Sequence, residues 1–165
     1  MENQVEFELA TANLLQISDH ELAVLLNEIY VQDGWTPSDR AVSLFDPAAV
    51  RKRGLLIGAR ESLHSRLAGI IILVPPDSPA RHLAKAGEAE LHLLGVKREF
   101  RNLGLGRSLV EAALGQARQA GYSKIILWTL NGMNAARKLY ESVGFNYIGN
   151  AKVNDRDFKV YEKPL

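Results

Sequence analysis

Between Glu88 and Gly121 the hydrophobic pattern switches from the period of a strand to the period of a helix across two closely spaced glycines. In Glu88 to Val96, Ala89, Leu91 and Leu93 alternate with Glu88, Glu90 and His92, so the two sets face opposite sides of a strand. Val96 lies three residues beyond Leu93 and breaks the alternation; a β-bulge around Leu94-Gly95 restores it, and glycine suits such a position. After Gly106 the apolar residues Leu109, Val110, Ala113, Leu114 and Ala117 fall on one helical face, which stops at Gly121. A strand leading through Gly104 and Gly106 into an amphipathic helix belongs to a layered α/β domain.

The flanking segments fit that frame. Val5, Phe7 and Leu9 alternate as a short first strand. Ser18 and Glu21 form a capping box ahead of Leu22, Leu25, Leu26 and Ile29, which predicts a helix running toward Gly34. Pro37 and Pro47 punctuate the next stretch, and a short helix begins near Asp46-Pro47 and ends at Gly54. Residues 55–60 and 66–74 read as strands of a hairpin, and 75–87, with three prolines and a glycine, as a long surface loop. Lys124 to Leu130 is a buried strand, and Met133, Ala136, Leu139, Tyr140 and Val143 form a helical stripe closed by Gly144. Strands over 145–149 and 158–162 flank a turn at residues 154–157. The order β-α-α-β-β-β-α-β-α-β-β predicts one mixed α/β domain over residues 1–165.

Composition narrows the function. With 20 Lys+Arg against 19 Asp+Glu the formal charge is +1, which gives no basic face for nucleic acid. The absence of cysteine removes disulfides, thiolate metal sites and a cysteine nucleophile together. The four histidines lack metal-ligand spacing, so no metal is expected. Apolar runs such as 68–74 fall far short of the ~20 residues that span a bilayer. The first residues lack the features of a secretory signal, so the expected compartment is cytoplasmic.

The chemistry centres on the segment Arg101-Asn102-Leu103-Gly104-Leu105-Gly106-Arg107-Ser108. Two glycines let the backbone approach a ligand closely, and the following helix directs free N–H groups and its positive end at the same place. Arg101 and Arg107 add charge and Ser108 a hydroxyl. Leu109 occupies the third glycine position of a dinucleotide fingerprint, and no lysine precedes Ser108 as a Walker loop requires. An ordinary strand-to-helix turn accounts for the glycine pair equally well when that pair is taken alone.

The wider context adds a resemblance. Glu90 to Val96 followed by Arg101-x-x-Gly104-x-Gly106 resembles the coenzyme A-binding motif of the GNAT superfamily of N-acetyltransferases. Ala136-x-x-Leu139-Tyr140-x-x-x-Gly144-Phe145 is similar to that family's second signature, and the two motifs are correctly separated. The resemblance implies a mostly antiparallel sheet flanked by helices, with a bulged, splayed central strand that binds coenzyme A. Backbone groups of Leu94, Gly95 and Val96 would then pair with the pantetheine arm, and amides of residues 101–106 would hold the pyrophosphate. Met133 stands where many members carry an asparagine, and Asn134 is the substitute.

By the same resemblance, an amine attacks the thioester of acetyl-CoA directly. Tyr140 matches the proton donor to the departing thiolate; its other reading is a core aromatic. Glu90 matches the general base of the histone-acetylating branch, and His92, on the same strand face, is the alternative. Tyr30, Trp35, Asp33, Asp39 and Arg40 fall where the family builds its acceptor pocket, while Trp128 reads as structural. The acceptor, a small molecule or a peptide amine, is not encoded in any motif. Homodimers are common in such enzymes, but no sequence feature fixes an interface. A non-catalytic acyl-CoA sensor is the competing reading.

Overall fold

The computed structural model describes residues 4–36, 39–40, 44–153 and 155–165. Strand β1 (Phe7–Thr11) is followed by α1 (Asp19–Leu26), whose last residues widen into a π-helical turn over Asn27–Gln32. Then come α2 (Pro47–Lys52), β2 (Leu55–Glu61), β3 (Leu67–Val74), β4 (Glu88–Val96), α3 (Leu105–Gln119), β5 (Lys124–Leu130), α4 (Asn134–Val143), β6 (Asn146–Val153) and β7 (Arg156–Pro164). The seven strands form one sheet in the order β1-β2-β3-β4-β5-β7-β6. β4 and β5 run parallel, and the other neighbouring pairs are antiparallel.

Two apolar layers hold the sheet. Ile71 and Leu73 of β3 join Ala89, Leu91 and the buried stripe of α3 on one face. Ile70, Ile72 and Val74 pack on the other with Leu22, Leu25 and Leu26 of α1. Because both faces of β3 are covered, its sequence is a continuous apolar run rather than an alternation. Each fully buried Leu or Ile side chain contributes on the order of 1.5–3 kcal/mol. The predicted capping box is present: the Glu21 amide donates to Ser18 Oγ and the Ser18 amide to Glu21.

Several expectations shift. The bulge lies at Leu93-Leu94, one position earlier than expected: Ile70 pairs with Gly95 and Ile72 with His92, so both leucines oppose Ile71. The left-handed residue is Leu93, with φ 52°, and not Gly95. Leu93 accordingly packs on the α1 side, opposite Ala89 and Leu91. The helix expected to reach Gly34 ends in the π-helical turn. β1 starts at Phe7, and β6 and β7 extend beyond 145–149 and 158–162, which places Arg156 and Asp157 in β7. Asn154 of the expected turn, together with Pro37, lies outside the described residues.

Candidate active site

β4 and β5 pair through Glu88, Ala89 and Glu90 opposite Lys124, Ile125 and Ile126, and the pairing stops there. Both strands continue, β4 to Val96 and β5 to Leu130, so their far ends part. A cavity of about 1020 Å³ occupies the parting, lined by Leu91 to Val96 on one side and Trp128 to Leu130 on the other. It meets Gly104 and Gly106 of the α3 start, and Tyr30 and Arg53 from the opposite face of the sheet.

At the α3 end, Gly104 caps the helix with φ 79°, a left-handed conformation that an L side chain resists. A β-carbon there would meet nothing within 4 Å, so the need for glycine is conformational. At Gly106 the need is closeness: a β-carbon would lie 3.1 Å from Leu139 Cδ2. The amides of the first helical turn have no intrahelical partner, and no acidic side chain occupies that turn. Arg101, Asn102, Gly104, Leu105, Gly106 and Arg107 line the cavity, whereas Leu103 and Ser108 do not. Ser108 Oγ donates back to the Gly104 carbonyl at 3.2 Å. Arg107 pairs with Glu111, and Arg101 with Asp33 at 2.9 Å. Asn134 lines the cavity, with its side-chain oxygen accepting from Arg137.

Along the bulge, the Tyr30 hydroxyl donates to the Leu94 carbonyl at 3.0 Å, and Arg101 Nε donates to the Val96 carbonyl at 2.9 Å. Gly95 admits Ile29, whose Cδ1 would stand 2.5 Å from a β-carbon at that position. The π-helical turn thus presses Ile29 and Tyr30 onto the bulge. Burial raises the Tyr30 phenol above its ordinary value, the neighbouring Tyr140 adds to this, and Arg53 opposes it. Three side chains from distant parts of the chain therefore share one neighbourhood.

Tyr140 lines the cavity, packs edge-on against Phe145 at 5.8 Å, and is raised in pKa by burial. Thr129, also lining the cavity, is 4% exposed, and its Oγ1 has no hydrogen-bond partner among the described residues. A buried hydroxyl left unpaired costs about 1–3 kcal/mol, which a bound ligand can relieve.

Glu90 is fully buried and does not line the cavity. Its carboxylate accepts the amides of His82, Leu83 and Ala84 at 3.0, 2.6 and 2.7 Å, and His92 Nε2 lies 2.8 Å from its other oxygen. Burial alone would raise the Glu90 carboxyl, yet His92 and the three amides hold it below its ordinary value. His92 does line the cavity, and its ring stands edge-on to Trp128 at 4.8 Å. Arg53 Nη1 approaches His92 Nδ1 at 3.4 Å. A guanidinium can only donate, so Nδ1 carries the lone pair and Nε2–H donates to Glu90. Burial lowers the His92 pKa despite Glu90, which keeps the imidazole neutral near pH 7.

Of the expected acceptor-pocket residues, Tyr30, Asp33, Trp35 and Arg40 line the cavity and Asp39 does not. The Asp33 carboxylate faces Arg98 and Arg101. Trp128, read from the sequence as structural, lines the cavity and packs edge-on against His82 and His92. Sequence reasoning missed Arg53, His82, Thr129, Arg156 and Phe158, all of which reach the cavity. No motif marks them; Arg53 reads simply as a cation at a helix end before Gly54. Among the described residues no cluster of His, Asp or Glu has metal-binding geometry, and no helix is long and apolar enough to cross a membrane.

Comparison with known proteins agrees with this geometry. The chain is 36% identical over 84 residues to N-acetyltransferase family 8 member 3 of Rattus norvegicus, a match covering 51% of this chain and 36% of that one. It is 31% identical over 122 residues to a mycothiol acetyltransferase of Thermobispora bispora, covering 69% of this chain and 37% of that one. The chain thus spans little more than a third of the length of these relatives. In fold it is similar to a GNAT-family acetyltransferase from Staphylococcus aureus, with TM-score 0.76, 18% identity, and 96% and 99% of the two chains covered. It is also similar to a Bacillus subtilis acetyltransferase in complex with CoA, with TM-score 0.66, 22% identity, and 98% and 99% covered. Residues 20–145 match the Acetyltransferase (GNAT) family, and the chain belongs to it.

Proposed function

We propose that this protein transfers the acetyl group of acetyl-CoA to the primary amine of a small-molecule acceptor, in the cytoplasm and within one domain. The observation that carries the reading is the parting of β4 and β5 after the Glu90–Ile126 pair. It opens a single cavity lined by the start of α3, by Tyr140 and by His92. The residues suit the coenzyme: left-handed Gly104 exposes the first-turn amides to a pyrophosphate, and Thr129 offers a hydroxyl unpaired among the described residues.

In this reading the neutral amine attacks the thioester carbonyl, the C–N bond forms and the C–S bond breaks. Tyr140 donates its proton to the departing thiolate. The amine's proton passes to His92 Nδ1, directly or through one water, as the amine displaces the long 3.4 Å contact from Arg53. Glu90 holds Nε2–H and so fixes the tautomer that leaves Nδ1 available. This division of labour favours His92 as the base and Glu90 as its positioning partner.

The test is release of free coenzyme A from acetyl-CoA across a panel of amines, with product mass. Amide-linked acetyl product is expected for at least one class of amine. Stable acetyl-CoA binding with no thioester loss across the panel would instead identify an acyl-CoA sensor.

A further inference from the structure

Two of the cations that line the cavity, Arg53 and Arg156, have no carboxylate partner among the described residues. Arg53 follows the last turn of α2, and its guanidinium is held by two neutral groups: Nη2 donates to the Leu44 carbonyl at 2.9 Å and Nη1 approaches His92 Nδ1. Arg156 donates to the Trp35 carbonyl at 2.7 Å and lies over the Phe158 ring. Neither is paired with a carboxylate among the described residues, and Lys52 also lines the cavity. The lining carboxylate, Asp33, is already committed to Arg98 and Arg101. A half-buried guanidinium without a counter-charge is desolvated with no ion pair in return, and burial depresses the Arg53 pKa accordingly.

We propose that Arg53 binds a carboxylate of the acceptor, and that the acceptor is a free α-amino acid with an apolar or aromatic side chain. The spacing selects the α-amino acid. Arg53 Nη1 and His92 Nδ1 are 3.4 Å apart, so a carboxylate paired with one and an amine that surrenders a proton to the other can sit on one carbon. An α-ammonium carboxylate meets this condition; a polyamine, an aminoglycoside or a peptide N-terminus does not, since a peptide's first carboxyl is an amide. Trp128 and Phe158 also line the cavity and provide apolar surface for the side chain. This inference rests on the acetyltransferase reading for the role of His92, but carboxylate recognition by Arg53 is testable by binding alone.

The experiment titrates L-phenylalanine, L-phenylalaninamide and phenethylamine into the coenzyme A-saturated protein by calorimetry, with wild type, Arg53→Met and Arg53→Lys. Phenylalanine should bind about tenfold or more tightly than the other two, as expected for one charge-assisted hydrogen-bonded pair. Arg53→Met should abolish that preference and Arg53→Lys should keep part of it, with melting curves confirming that each variant is folded. Equal affinity for the three probes, no binding of any, or a preference that survives Arg53→Met would overturn the proposal. Arg53-dependent phenylalanine binding without acetyl transfer would sink the transferase reading and leave the carboxylate site standing. Acetylation of phenethylamine as efficient as that of phenylalanine would do the reverse.

Discussion

The Tyr30 hydroxyl donates to the Leu94 carbonyl at 3.0 Å and so ties the π-helical turn after α1 to the bulge of β4, 64 residues further along the chain. The contact fixes the strand where it leaves β5, and it holds Tyr30 within electrostatic reach of Arg53 and Tyr140. Tyr30→Phe keeps the stacking on Phe45 but leaves the Leu94 carbonyl without this donor. The expected loss is about 1 kcal/mol, or roughly 2–4 °C in melting temperature for a chain of this size. A melting temperature equal to wild type would show that the bulge does not depend on the hydroxyl.

The two loop glycines should fail for different reasons. Gly104 is left-handed with open space around it, so Gly104→Ala should cost about 1–2 kcal/mol in backbone strain, and Gly104→Asn clearly less. Gly106→Val must displace Leu139 and separate α3 from α4, so both stability and acetyl-CoA affinity should fall. Thermal melts and coenzyme titrations of the three variants check this. Identical behaviour of the alanine and asparagine variants would remove conformation as the reason for Gly104.

Tyr140→Phe separates chemistry from packing cleanly, because the hydroxyl makes no hydrogen bond to the described residues and its loss leaves nothing unsatisfied. Stability should hold, while kcat should fall by on the order of 10²–10⁴ with acetyl-CoA affinity unchanged. Unchanged turnover under conditions where chemistry limits the rate would assign Tyr140 to the core alone.

The buried His92 predicts a pH dependence of stability. Its folded pKa is lowered by burial, whereas the unfolded side chain titrates near the ordinary value of about 6.5. Above that value neither state holds the proton and the stability is fully present. As pH falls below it, the unfolded chain binds a proton that the native site refuses, and stability is lost. Glu90, whose pKa is also lowered, adds a loss at still lower pH as the carboxylate is protonated. The melting temperature should therefore drop between pH 7 and 5, and His92→Gln should flatten that part of the curve. A wild-type curve already flat over this range would contradict the neutral, buried imidazole.

How much of this was legible beforehand depends on the range of the interactions. The segment 101–108 and the stripe ending at Phe145 are local patterns, and they located the strand–loop–helix unit and the family resemblance. The bulge was legible as a break in period, but its position was not. Period counting assigns the irregular residue to glycine, whereas packing against α1 places Leu93 in the left-handed region and reserves Gly95 for Ile29. The π-helical turn was invisible because Leu22 to Ile29 satisfies the α-helical period regardless. Arg53, Trp128 and Thr129 became site residues only through contacts across strands and layers, and nothing in their own neighbourhood announces that. Glu90 was legible as a carboxylate opposite the Leu91 face, but its partners lie in the proline-rich loop, whose path no periodicity specifies.

Glu90 is where a base and a positioning residue are hardest to tell apart by activity alone. Its oxygens accept three consecutive amides, His82 to Ala84, and the His92 Nε2–H. Glu90→Gln keeps one acceptor but turns an amide NH₂ toward groups that are themselves donors. The substitution should therefore destabilise the protein by about 1–3 kcal/mol or more and release the loop locally. Turnover should fall as well, since His92 loses the partner that fixes its tautomer. Hydrogen exchange separates the two roles. If Glu90 positions, the amides of His82, Leu83 and Ala84 should lose protection in Glu90→Gln, and the ascending low-pH limb of the rate profile, which reports deprotonation of the base, should persist with reduced amplitude. His92→Gln should leave those amides protected and abolish the limb. If instead Glu90→Gln removes the limb while the loop stays protected, the carboxylate itself takes the proton and the base assignment returns to Glu90.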